Sequence, residues 1–257
     1  MTAVSNLAGD THSEQLQLKA KPSFTPSAGL NINPQKLFCG SDDCLPWQLD
    51  EAEVALFWRG ESDYGVDVKG NFVIPGTIPE PGIDLRFLTI DSYQPEVYGG
   101  SFLVPFGDFE VVLSLERHRW SELGDKFAGD TVRDQAELSF RDITVPRAGI
   151  RYQWSDQLSL VGGVSMEESP LMGRTSRDVN FLDSDRALVG VGGSYRFDDV
   201  PGISVPVEIG FGYQYQRLDD REFDLTSRNS PSDPAPYETV RADGEVHVFS
   251  GSVELPF

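Results

Sequence analysis

No stretch of about 18 consecutive apolar residues occurs in the 257-residue sequence, which excludes a transmembrane helix. Positive charge is scarce. Against 41 Asp and Glu stand 21 Lys and Arg, a net charge of −20, so a phosphate backbone would be repelled and nucleic-acid binding is disfavoured. One close cysteine pair, Cys39 and Cys44, with only the scattered His12, His118 and His247 beside it cannot build a four-ligand zinc site of the usual spacing. The Gly-x-Ser-x-Gly, Walker and His-Glu-x-x-His signatures are missing, which removes the common hydrolase and nucleotide-binding readings. The opening Met1-Thr2-Ala3-Val4-Ser5-Asn6 has neither a basic n-region nor an apolar core. An exported protein would therefore lack its start here.

What is present points to strands. Hydrophobic residues at 39% and aromatics at 11% are too many for a disordered acidic tail, and 25 Gly with 17 Pro suit many turns better than long helices. Strict period-two alternation puts successive side chains on opposite sheet faces. It is cleanest where Val205, Val207, Ile209, Phe211, Tyr213 and Tyr215 oppose Ser204, Glu208, Gly210, Gly212 and Gln214. The same pattern recurs around Trp58, Val68, Phe102, Leu113, Ile150, Leu160, Val191 and Val253, giving about nine strands. A tenth is weakly signalled at 16–21.

Connections alternate in length. Short ones fall at 60–64, near Gly107, at Ser155-Asp156 and at 198–203; long ones fill 76–94, 121–143, 168–186 and 218–243. That alternation predicts an antiparallel up-and-down transmembrane β-barrel with short periplasmic turns and long extracellular loops. One face of the strands carries Glu116, His118, Arg147, Arg151, Glu167, Arg196, Glu208 and Gln214, which would line a wet lumen. The other face gathers Trp58, Phe106, Phe109, Trp154, Tyr195, Phe197 and Phe257 beside the short turns, as an aromatic girdle at the membrane interface. A soluble acidic β-sandwich with these aromatics in its core is the competing reading. Residues 51–257 form the barrel part. Residues 1–50 read as an irregular segment holding that weak strand and a Cys39–Cys44 loop, either disulfide-closed or carrying two thiols.

Several stretches resemble one family. Glu168-Ser169-Pro170-Leu171, Asn180-Phe181-Leu182-Asp183-Ser184-Asp185-Arg186 and the strand ending Ser194-Tyr195-Arg196-Phe197 are similar to the FadL/TodX family of outer-membrane transporters. So are Leu115-Glu116-Arg117-His118-Arg119-Trp120-Ser121 and the final strand from Gly244 to Phe257. The resemblance implies a fourteen-stranded barrel with an N-terminal hatch, in a Gram-negative outer membrane. It also implies passive uptake of long-chain fatty acids or other hydrophobic compounds, and a terminal Phe257 read by barrel assembly machinery. No hatch-like segment or Asn-Pro-Ala motif precedes Glu51, and about ten strands stand where the family has fourteen. A fragment or a reduced relative is the expectation, and the family's ligand site is not carried over.

The resulting expectation is a monomeric, non-enzymatic outer-membrane protein with lipid and a hydrophobic small molecule as partners, needing no cofactor or metal. A structural barrel without transport and a soluble lipid- or sugar-binding β-protein are the alternatives. Two chemistries are weighed and set aside. Ser114, Glu116 and His118 share one strand face but read as lumen residues pairing with Arg147 and Arg151. Asp183 and Asp185 are hard oxygen donors suited to calcium but read as a solvated loop end.

Overall fold

The computed structural model describes residues 2–3, 15–21, 24–39, 49, 51–74, 78–127, 138–173, 175–176, 183–202, 205–226 and 236–255. Phe257, Cys44 and the Asn180-Phe181-Leu182 stretch lie outside the described residues. The strands are β1 (Thr2–Ala3), β2 (Gln15–Lys21), β3 (Ser27–Ile32), β4 (Glu53–Arg59), β5 (Ser62–Ile74), β6 (Ile78–Gln94) and β7 (Glu96–Phe106). They continue as β8 (Phe109–Arg119), β9 (Ile143–Gln153), β10 (Leu158–Glu167), β11 (Thr175–Ser176), β12 (Arg186–Phe197), β13 (Val207–Thr226) and β14 (Pro236–Glu254). Two short helices, α1 (Pro34–Phe38) and α2 (Ser121–Phe127), interrupt them.

Nine strands form one antiparallel meander in the order β3-β4-β7-β8-β9-β10-β12-β13-β14, and two-residue β11 bridges β13 in parallel. A second sheet has the order β1-β2-β5-β6. The two are related by bends in shared strands: β4 runs on into β5 through Gly60-Glu61, and β6 into β7 through Pro95. At the first bend the Gly60 amide donates to the Pro26 carbonyl at 2.8 Å, and a Cβ on Gly60 would meet the Pro26 ring at 2.9 Å. Only glycine permits that approach.

Four expectations are corrected. The segment 60–64 is a bend rather than a chain reversal, because β5 pairs with β2 and β6 instead of folding back on β4. The stretch 76–94 is largely the 17-residue β6; Pro79, Pro81 and Gly82 read as turn residues and masked the Ile83, Leu85, Phe87 alternation behind them. The stretch 218–243 is mostly strand, since β13 and β14 run on past a bulge between Leu218 and Arg221, leaving 227–235 as the connection. Acidic residues there suggested a loop, but cross-strand pairing overrides a weak local preference. Finally, β3 lies in the segment read as irregular and pairs with β4, so the main sheet starts before Glu51.

The turns near Gly107 and at Ser155-Asp156 are where the alternation placed them. Gly107, at φ +61°, closes the two-residue β7–β8 turn. Longer connections leave the opposite ends of β8, β10 and β13. Along every strand of the main sheet one face is bare. Phe102, Leu113, Val164, Val189, Phe211, Phe249 and Val253 are all exposed, Phe249 by 79%. The buried hydrophobic cluster lies elsewhere, beyond the loop ends of the strands. It comprises Leu123, Phe127, Leu138, Phe140, Leu171 and Phe223, with Ile90, Tyr93 and Trp120 against it.

Candidate functional site

The face opposite the bare one curves around two cavities. One of about 600 Å³ is walled by six neighbouring strands, β8, β9, β10, β12, β13 and β14, which requires the sheet to be concave there. Val112, Val161, Leu188 and Val248 line it among Gly149, Gly163, Gly190, Gly192 and Gly212. Glycine in a strand marks a close backbone approach; a Cβ on Gly192 would sit 2.6 Å from the Phe211 carbonyl. The second cavity, about 610 Å³, lies toward the short turns and is lined by Arg151, Ser159, Arg196, Glu208 and Ser252, with Val161, Phe211 and Ser250 shared between the two. Mid-face is therefore apolar and its turn end charged. The apolar patch was not found from sequence, where only charged and polar residues of that face were assigned to the lumen. Its signal was there: Val112, Val161, Leu188 and Val248 each occupy a polar-face position of an otherwise regular alternation.

Charged residues on the concave face are paired, some across strands and some with a neighbour two residues away. Glu116 accepts from His118 Nε2 at 2.8 Å and also pairs with Arg147, whose neighbour in register is Ser114. Ser114 lines the apolar cavity, and the expected partnership of Glu116 with Arg147 is present. Arg151 pairs with Glu110 at 3.5 Å rather than with Glu116. Arg196 contacts Asp198 at 3.0 Å, beside Glu208 in register. Glu167 meets Arg186 at 3.5 Å, and Gln214 stands between Gly190 and Val248.

Of the aromatic set, Phe106, Phe109, Trp154, Tyr195 and Phe197 are exposed at the short-turn end. Phe109 stacks on Tyr152 with ring centroids 4.5 Å apart, and Tyr195 meets Phe197 at 4.7 Å. Trp58 does not join them. Because 60–64 is a bend, β4 rises to the loop end, where Trp58 pairs with Tyr98 and donates to Glu96 at 2.8 Å. Tyr98 in turn faces Arg117, near the loop end of β8. Cys39, the C-cap of α1, is disulfide-bonded.

At the loop end two of the stretches that carried the family resemblance, 168–171 and 183–186, meet. Ser169, 2% exposed, donates its hydroxyl to Asp183 at 2.8 Å and its amide to Asp185 at 2.6 Å. Arg221 donates to Ser169 Oγ and to the carbonyls of Asp183, Leu171 and Gly173 at 2.7–2.9 Å. Asp183 and Asp185 thus clamp a loop, and no metal-holding cluster of three acidic, His or Cys residues occurs among the described residues. Nearby, Asp142 accepts from the Ser121 hydroxyl (2.7 Å) and amide (3.1 Å) and faces Arg117 at 3.6 Å. Burial works to raise this carboxyl, but those donors and the cations outweigh it and hold it below the usual carboxylate value. Lys126 bridges Glu61 (2.9 Å) and Asp63 (2.7 Å), tying α2 to the second sheet.

The chain is similar to several known proteins. Alkane uptake protein A of Marinobacter nauticus is 37% identical over 263 residues; the match covers 100% of this chain and 56% of that protein, so the chain spans about half the relative's length. Among solved structures, a Pseudomonas aeruginosa FadL homologue is similar over 96% of this chain and 64% of its own (TM-score 0.47, 15% identity). The P. putida toluene transporter TodX is similar over 95% and 65% (TM-score 0.42, 10% identity). The family model described as outer membrane protein transport protein (OMPP1/FadL/TodX) matches residues 98–257, and the chain belongs to that family of outer-membrane proteins.

Proposed function

We propose that this chain forms part of a transmembrane β-barrel through which hydrophobic compounds, alkanes or long-chain fatty acids, enter passively. The observation carrying the reading is the apolar patch of Val112, Val161, Leu188 and Val248 inside a concave face whose other side chains are largely charged or small. A purely structural lumen needs no oily wall. A solute gains about 0.8 kcal/mol for each methylene it buries, so a cavity of about 600 Å³ favours chain-like over compact polar solutes. Supporting this, the 37% identical relative is named for alkane uptake. Lipid would meet the bare face, with Phe106, Phe109, Trp154, Tyr195 and Phe197 at one interface.

Uptake of radiolabelled hexadecane and oleate by cells expressing the protein tests this. Leu188→Asp and Val161→Asp should cut uptake at least several-fold at equal outer-membrane abundance, and a proton uncoupler should leave the entry step unchanged. Undiminished uptake in both variants would favour the barrel without transport.

A further inference from the structure

We infer that the two cavities of the concave face sort solutes by charge. They take an uncharged hydrocarbon and turn away a carboxylate on a chain of the same length, and Glu110, Glu116 and Glu208 set this preference. The preference rests on the uptake reading above and narrows its substrate class. Three cations line the cavities, Arg147 in the apolar one and Arg151 and Arg196 in the other. Each already has an acid. Arg147 pairs with Glu116, Arg151 with Glu110 at 3.5 Å, and Arg196 with Asp198 at 3.0 Å. Arg59 and Arg186, nearer the loop end, line neither cavity. Acid is in excess toward the short turns. Asp156 and Glu208 line the second cavity, and among the described residues neither pairs with a cation. Glu208 stands opposite Glu254 on one side, while Arg196, its neighbour on the other, turns to Asp198.

A carboxylate that leaves water must find a cation or several donors to replace its hydration. Here any arginine it reached would be shared with a resident acid, which puts two anions on one cation. The unpaired carboxylates add a field that low-dielectric walls focus into the cavity, and rings of acid along a pore repel anions. A hydrocarbon carries no charge and is indifferent to that field. It still gains from every methylene laid against Val112, Val161, Leu188 and Val248. Polarity alone is not the barrier, because the hydroxyls of Ser159, Ser194, Ser250 and Ser252 line the second cavity and can serve a neutral polar head. Charge is what the site rejects.

The test measures entry of radiolabelled hexadecane, 1-hexadecanol and palmitate, three solutes of one chain length, at neutral pH. The cells express the full chain and lack outer-membrane carriers of their own for these compounds; entry is counted above that of cells without the protein. Hexadecane and hexadecanol should both outpace palmitate by about tenfold. Glu208→Gln removes an acid that holds no cation, and Glu110→Gln releases the exposed Arg151. Each should raise the palmitate-to-hexadecane ratio by about tenfold at equal outer-membrane abundance. Asp108→Asn, which removes an acid of the β7–β8 turn outside both cavities, should leave the ratio where it was. Palmitate entering the unaltered protein as fast as hexadecane would overturn the inference. So would exclusion of hexadecanol together with palmitate, a ratio unmoved in both glutamine variants, or an equal rise with Asp108→Asn. Entry of none of the three would instead overturn the uptake reading itself.

Discussion

At the residue scale the same side chain means opposite things on the two faces of one strand. Phe211 is 66% exposed on the bare face, and Gln214, three positions on, stands on the concave one beside Val248. If lipid covers the bare face, Phe211→Arg places a guanidinium in hydrocarbon and should cost about 2–4 kcal/mol, whereas Gln214→Arg points into the wet interior and should be mild. Reversible denaturant unfolding from vesicles measures both. Equal cost at the two positions would return the soluble sandwich to consideration. The family-like motifs also make sense one residue at a time. Ser169 is buried; its hydroxyl donates to Asp183 and accepts from Arg221 while its amide donates to Asp185, and a longer side chain could not take the hydroxyl's place without displacing the loop.

Elements are held here by edges and clamps more than by a core. The strands of the main sheet need only their ladders, while the loops above them need side-chain anchors. Arg221 is the principal anchor: its planar fork reaches three carbonyls and one hydroxyl at once and its guanidinium lies 5.0 Å from the Phe223 ring centroid. A lysine carries the charge but not the fork. Arg221→Lys should therefore leave part-buried carbonyls unpaired, at about 1–3 kcal/mol, and should speed amide hydrogen exchange in the segment from Ser169 to Gly173 without altering the β9–β12 ladders. Uniformly faster exchange across the sheet would mean that the clamp is not local.

For the whole molecule, one end carries the tight turns, the exposed aromatics and the β3–β4 connection with α1, and the other carries the connections leaving β8, β10 and β13, α2 and the only sizeable buried cluster among the described residues. If the sheet is part of an outer-membrane barrel, as proposed, the long-loop end faces outward. Protease added to intact cells should cut within 128–137 or 227–235 and spare Asp198 to Gly202; cutting at the latter alone would invert the topology. Trp58 gives this orientation a second marker, because with Tyr98 it sits at the loop end rather than among the short-turn aromatics.

Strand content, which residues share a face and most short turns were legible in the sequence, because a pleated strand alternates whatever its neighbours are. Val207 to Tyr215 could be read without any partner, and so could the acidic balance that disfavours nucleic-acid binding. Local reading failed where a neighbour decides. Residues 83–87 are strand only because β5 lies beside them, and 221–225 only because β14 does. Whether Gly60 turns the chain or merely bends it depended on which strand β5 would pair with, and the end at which Trp58 lies followed from that. The apolar wall of the concave face is tertiary in the same sense. Val112, Val161, Leu188 and Val248 are isolated lapses within four separate strands, and become one surface only when register brings those strands side by side around a common cavity.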